Sequence, residues 1–411
     1  MSIVEVETLI IGGGQAGLAM SEHLTKRGVP HLIVERHRIA ERWRSERWDS
    51  LAANGPAWHD RFPSKTFAGV DPDSFATRDQ IVDYFEAYAK QIAAPIRCGV
   101  EVRTLQKKAG SGFRADTSAG VIEATNVVVA TGPFQRPVIP TAVPDEAGVA
   151  QMHSSAYRNP GQLREGAVLI IGAGSSGVQI AEELARSGRR VYLSVGPHNR
   201  PPRRYRGRDC VWWLGALGEW DVKVVAPGTE HVTIAVSGAN GGHTVDLRQL
   251  AARGVTLLGS AGAYQDGALR FLPNLAKNIA DGDANYLSVL RAADAHVKEK
   301  GLDFPEEADA YTIAADPECV THPILQLNLA AAGITTIIWA TGYALDFEWL
   351  KVAAFDEKGR PAHQRGVSAV PGLYFLGLSW LSRRASAFIW GVWHDAEHLA
   401  AHIAARIDTP A

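Results

Sequence analysis

Two stretches of this chain carry three glycines at the spacing that grips a diphosphate. They are "IGGGQAG", with Gly12, Gly14 and Gly17, and "IGAGSSG", with Gly172, Gly174 and Gly177. In each, the first glycine can make the tight turn and the second lets backbone approach an anion. The third lets the following helix pack close to the strand. Gln15 and Ala16 open the first helix and Ser175 and Ser176 the second, so the positive end of each would face the phosphates. The two loops differ downstream. Glu35 lies 23 residues after Gly12, at the end of the next apolar strand and just before Arg36, where a carboxylate can accept hydrogen bonds from ribose hydroxyls. The same count from Gly172 reaches Val195, and Arg200, Arg203 and Arg204 follow. A carboxylate there would repel a 2′-phosphate, whereas Arg203 and Arg204 can clamp one with bidentate hydrogen bonds. The pattern predicts NADPH on the second loop. Hydride passes only over contact distance, so the useful partner of a nicotinamide is a flavin, and FAD is expected on the first loop.

The elements that must position these loops occur twice. "VETLIIGGGQAGLAMSEHLTKRGVPHLIVERH" reads strand, turn, helix, strand, and "GAVLIIGAGSSGVQIAEELARSGRRVYLSVG" repeats it. Each half also holds a later apolar strand that runs into Ala-Thr-Gly: "VVVATG", ending at Ala130, Thr131 and Gly132, and "IIWATGY", with Thr341 and Gly342. Before the first of these strands lie a helical pattern over "RDQIVDYFEAYAKQIA" and an antiparallel ribbon from "VEVRTLQKK" and "GFRADT", and before the second lie strands around "HVTIAVSG" and "GVTLLGSAGAY". A helical block begins near residue 273, and a last strand and helix end the chain. The repeat predicts an α/β fold of two Rossmann-like dinucleotide-binding domains with doubly wound sheets, the NADPH domain inserted into the FAD domain. The expected boundaries are 1–160 for the first part of the FAD domain, 161–332 for the NADPH domain with its helical segment, and 333–411 for the second part of the FAD domain.

Bulk properties exclude other classes. The 411 residues suffice for two cores, and 46% hydrophobic with 21% charged residues is ordinary for a globular protein. A formal charge of −2 draws the chain to neither nucleic acid nor an anionic membrane. No apolar run is long enough to span a bilayer, and "MSIVEVETLI" lacks the basic start of a secretory signal, so a cytoplasmic location is expected. Cys98, Cys210 and Cys319 stand far apart with no CxxC, which argues against both a zinc ribbon and a redox dithiol. His394, Asp395 and His398 share a helical stretch but have no third ligand in sight, so no metal site is expected.

Taken in order, "GGGQAG", "HSSAY", "GAGSSG" and "ATGY" resemble the class B flavoprotein monooxygenases: the flavin-containing monooxygenases with their plant auxin-forming and bacterial relatives. His153 and Tyr157 match the second half of that family's FxGxxxHxxx(F/Y) fingerprint, while Ala147 and Val149 replace its Phe and Gly. Glu41 and Arg42 stand where members often carry two glycines, but Trp43 remains and would pack by the flavin. "LAANGP" is similar to the segment that supplies an active-site Asn, which makes Asn54 the counterpart. The resemblance implies a single-component monooxygenase in which a C4a-hydroperoxyflavin oxygenates a small organic substrate, with dioxygen as co-substrate. It leaves a homodimer open. A reductase or oxidase that releases hydrogen peroxide, and a nucleotide-binding redox sensor without turnover, are the competing readings.

Overall fold

A computed structural model describes residues 3–223 and 234–408. The first strand, Ile3–Ile11, starts at the surface and ends fully buried through Leu9 and Ile10. It pairs in parallel with His31–Glu35 on one side and Gly120–Val129 on the other, and His31–Glu35 pairs in turn with Ile96–Cys98. The long strand Gly120–Val129 has two neighbours on its far side. Its first half joins the antiparallel ribbon of Phe113–Thr117 and Val102–Lys107. Its second half takes Leu373–Phe375 in parallel, so one ten-stranded sheet draws on both ends of the chain. The helices Gln15–Lys26 and Ile389–Asp408 pack together against it.

The second sheet has five parallel strands in the order Val255–Leu258, Val191–Ser194, Ala167–Ile171, Ile334–Trp339 and Ala150–His153. It lies between the two parts of the first sheet, which gives the inserted arrangement. Two of its strands fall outside the expected span of 161–332: Ala150–His153 precedes it and Ile334–Trp339 follows it. The second unit is therefore wider at both ends. The reason is local: Ile334–Trp339 runs into Ala-Thr-Gly and reads alike in either half, while the four mixed residues of Ala150–His153 carry no strand pattern of their own. Only its hydrogen-bond partners say which sheet owns it.

The helical block from 273 to 328 contains one 26-residue helix, Leu275–Lys300. Gly282 in its middle has a purpose, since a Cβ there would come within 2.7 Å of His198 Nε2. Of the strand expected around 231–238, residues 231–233 lie outside the described residues, and Ile234 bridges Asn199 in parallel. Among the described residues no helix is long and apolar enough to cross a membrane.

Glu22, in the middle of Gln15–Lys26, ties three helices and a loop together. Its buried carboxylate accepts hydrogen bonds from Tyr88 of the helix Arg78–Gln91, from Trp393 Nε1 at 2.9 Å and from Ser64 Oγ at 3.0 Å, and it pairs with Lys26 at 2.7 Å. Burial alone would raise its pKa, but the bonds from Lys26, Tyr88, Trp393 and Ser64 outweigh that and hold it at about 2. A carboxylate depressed in the folded state stabilises above its ordinary pKa, and the contribution is lost as pH falls toward the folded value. Folding stability should thus drop between about pH 4.5 and 2. Glu22→Gln should cost about 2–3 kcal/mol at pH 7 and flatten that drop. Urea unfolding midpoints across pH will measure both.

Candidate active site

Both glycine turns are built alike. Gly12 has φ +116° and Gly172 φ +110°, and a Cβ on either would sit 2.5 Å from a carbonyl oxygen, of Ala130 and Ala340 respectively. A Cβ on Gly17 would lie 1.9 Å from Gly12 O, and one on Gly177 1.8 Å from Gly172 O. Glycine is obligatory at these four positions. At Gly14 a Cβ would meet nothing within 4 Å, so that face is open to a ligand. Neither glycine helix has a side-chain N-cap or an acid in its first turn. Among the described residues no backbone acceptor meets the N–H groups of Gln15, Ala16 and Gly17, which leaves an anion site of the expected kind. Glu35 closes it from the side, its carboxylate held by Gly13 N–H at 2.7 Å and His37 N–H at 2.9 Å. Arg36 is exposed beside it. At the second loop Ser175 is already engaged, its N–H and hydroxyl donating to Ile234 O at 3.0 and 2.8 Å. Ser176 and Gly177 keep theirs free of backbone partners among the described residues.

The two Ala-Thr-Gly turns meet where the chain crosses between the sheets. Arg136–Pro137 pairs antiparallel with Tyr343–Ala344, Thr341 Oγ1 donates to Val138 O, and Thr131 Oγ1 accepts from Gln135. Gly132 and Gly342 take φ of +71° and +79° there. His153 braces the crossing. Its Nδ1 accepts from Ser155 N–H at 3.1 Å, so Nε2 carries the proton and donates to Gly342 O at 2.9 Å. Burial lowers its pKa, which keeps the ring neutral. Trp43, half-buried in the helix Glu41–Ser45, packs against both cores with the Arg47 guanidinium 5.7 Å over its ring. Tyr157 donates to Glu183 at 2.7 Å, so both matched fingerprint residues spend their polar atoms on hydrogen bonds around the second sheet.

Asn54 stands exposed between buried neighbours, and the second unit holds it from two sides. Gln179 Nε2, on the second glycine helix, donates to Asn54 Oδ1 at 2.9 Å, and Arg203 Nη1 donates to the Asn54 carbonyl at 2.6 Å. This corrects the expectation for Arg203. Its side chain is only 2% exposed and ion-paired to Asp209, so it is not free to clamp a phosphate. Arg200 is likewise buried against Asp283 at 2.5 Å. Spacing exposes a run of arginines but not the acids that claim them. Arg204 alone of the three is exposed, with no ion-pair partner among the described residues. Gln179 and Asp209 escaped the sequence reading, although a polar residue amid the apolar face of an Ala-rich helix was a signal for Gln179.

Beside Asn54 the loop turns through Gly55, whose N–H donates to Asp60 at 2.9 Å, and Asp60 in turn holds His59 Nδ1 at 2.7 Å. His59 stacks on Trp220 at 5.4 Å and meets Trp390 edge-on at 5.5 Å. Gln15 Nε2 donates to Ala387 O at 2.7 Å, which joins this aromatic group to the first glycine loop. A cavity of about 400 Å³ opens between the units, lined by Trp48, Phe75, Thr77, Gln179 and Glu183. The three cysteines are free and scattered, and His394 and Asp395 serve packing and a hydrogen bond from Ser382. The open Gly14 face, the bare helix end and Glu35 fit the diphosphate and ribose of FAD. The second loop, with Val195 in place of an acid, fits NADPH.

Residues 9–207 match the family model described as pyridine nucleotide-disulphide oxidoreductase. An uncharacterized CzcO-like oxidoreductase of Geobacillus kaustophilus is 35% identical over 398 residues, covering 96% of this chain and 97% of its own. An indole-3-pyruvate monooxygenase of Oryza sativa subsp. japonica is 34% identical over 192 residues, 46% of this chain and 47% of its own. Among solved structures, a flavin-containing monooxygenase from Stenotrophomonas maltophilia shares the fold with a TM-score of 0.66 at 20% identity, covering 98% of this chain and 99% of that one. With two glycine loops set across one crevice, the chain belongs to the CzcO-like oxidoreductases and uses FAD and NADPH.

Proposed function

We propose that this protein is a single-component monooxygenase that uses NADPH and dioxygen to oxygenate a small organic substrate in the crevice between its two units. One observation carries the reading: Asn54, from the FAD-side unit, is held at the crevice by Gln179 and Arg203 of the NADPH-side unit. The chemistry supplied by a bound FAD is hydride acceptance from NADPH and activation of dioxygen. The chain's own task is to bind, orient and exclude water. The first glycine helix would neutralise the FAD diphosphate while Glu35 accepts from its ribose. Asn54 presents an amide, which donates a hydrogen bond without carrying an acidic proton, and so can stabilise bound oxygen without releasing it as peroxide. His153 is committed to the Gly342 carbonyl through Nε2, and so braces the crossing between the sheets.

Purified protein should be yellow and release FAD on acid precipitation. Across a panel of small amines, thioethers, ketones and 2-oxo acids, an accepted substrate should divert NADPH-derived electrons from peroxide into oxygenated product. Asn54→Ala should act on the oxygen half of the cycle. The ratio of product to peroxide should fall about ten- to a hundredfold, as loss of one oriented hydrogen bond to a charged oxygen implies. Peroxide release with every compound tested would favour an oxidase, and failure of NADPH to reduce the flavin would favour a sensor.

Cofactor choice gives a second test. Arg204, exposed after Val195, is the guanidinium left to meet a 2′-phosphate, and Arg204→Ala should raise the KM for NADPH about tenfold with little effect on NADH. Arg203→Ala should act differently. It strands Asp209 in the interior, so it should lower folding stability by about 3–5 kcal/mol, visible as a fall in Tm. Equal discrimination in wild type and Arg204→Ala would overturn the assignment.

A further inference from the structure

We propose that Gln179 is a positioning residue that fixes the amide of Asn54 with its nitrogen toward the crevice, and so sets how well reduction is coupled to oxygenation. The proposal rests on the role given to Asn54 above. Its basis is a one-way chain of hydrogen bonds. Gln179 Nε2 lies 2.9 Å from the carbonyl of Val236 and 2.9 Å from Asn54 Oδ1. A backbone carbonyl can only accept, so the Gln179 end facing it must be the amino group. One of its hydrogens goes to Val236, and the other then requires an acceptor at Asn54. Asn54 must offer its oxygen. Its Nδ2, with two donors and no partner among the described residues, is left as the end that faces outward.

The rest of the neighbourhood holds the same arrangement. Arg203 fixes the Asn54 carbonyl, and Asp60 fixes the next N–H, that of Gly55. A Cβ on Gly55 would lie 2.4 Å from Asp60 Oδ1, so glycine at this position is what lets the Asp60 carboxylate approach the backbone beside Asn54. Gln179 itself is 5% exposed, and its Oε1 is buried with no hydrogen-bond partner among the described residues. An unmet buried acceptor is costly for a residue kept only for packing, and marks a site where orientation has been favoured over stability. Gln179 also lies one turn into the helix whose N-terminus would hold the NADPH diphosphate, so nicotinamide nucleotide and Asn54 bear on the same rigid element.

The test compares Gln179→Met, which keeps shape without a donor, with Gln179→Glu, whose carboxylate would attract the Asn54 amino group and turn the amide round. Asn54→Ala and Asn54→Ala/Gln179→Glu complete a cycle. Two quantities are measured on the FAD-loaded proteins: peroxide released from NADPH and dioxygen with no organic substrate, and the flavin midpoint potential by equilibrium dye titration. Gln179→Met should raise peroxide release about three- to tenfold, as loss of one hydrogen bond implies, and Gln179→Glu more. The potential should fall in Gln179→Glu, because an oxygen then faces the ring where a donor had been. The double variant should match Asn54→Ala in both. Wild-type behaviour of both Gln179 variants, or effects that add in the double variant, would overturn the proposal. An Asn54→Ala protein equal to wild type would overturn the role of Asn54 itself, and the proposal with it.

Discussion

In each half of this molecule a backbone carbonyl presses on a glycine so closely that no side chain could begin there. Ala130 O stands over Gly12 and Ala340 O over Gly172, each 2.5 Å from where a Cβ would be. Much follows from this contact. It requires the Ala-Thr-Gly strand to be the parallel neighbour of the glycine strand, which fixes the centre of both sheets. It also turns each chain end out of the sheet at the mouth of the crevice, where the two crossing segments pair with one another. The contact within each turn, Gly17 on Gly12 and Gly177 on Gly172, brings the helix down with its N-terminus pointing at the place a diphosphate would occupy.

The second organising feature is a set of buried ion pairs in the inserted unit. Arg203 with Asp209, and Arg200 with Arg248 around Asp283, are taken out of water almost completely. Such pairs repay their desolvation only with good geometry and further hydrogen bonds, and their main yield is a unique arrangement rather than stability. Here Asp283 lies on the long helix Leu275–Lys300 and draws it onto the loop after Val195, while Arg203 carries its spare nitrogen to Asn54. A cationic patch is thereby spent on architecture. Arg204 stays exposed beside it, with no ion-pair partner among the described residues.

The crevice suits oxygen chemistry better than thiol chemistry. Cys98, Cys210 and Cys319 are separate and free, and burial pushes the Cys210 thiol up, away from the reactive thiolate. Glu183 lines the crevice beside Trp48 and Gln179, while Asn54 itself is bonded to the amide of Gln179 and the guanidinium of Arg203.

Much of this could be read from the residues alone, because the rules involved are local. Glycine spacing, the period-2 and helical patterns around it, the acid after the first loop and its loss after the second are steric and electrostatic facts about neighbouring residues. They were enough for two nucleotide units, one inserted in the other. Ownership of Ala150–His153 and Ile334–Trp339 was not local, since a short strand's own residues do not say which edge it will hydrogen-bond. Nor was the fate of Arg203, whose charge is cancelled by Asp209 across a short hairpin and whose remaining bond reaches a residue 149 positions away. Residue type sets what a side chain can donate or accept. Whether that capacity is still free depends on what the fold places beside it, and that was decided only in three dimensions.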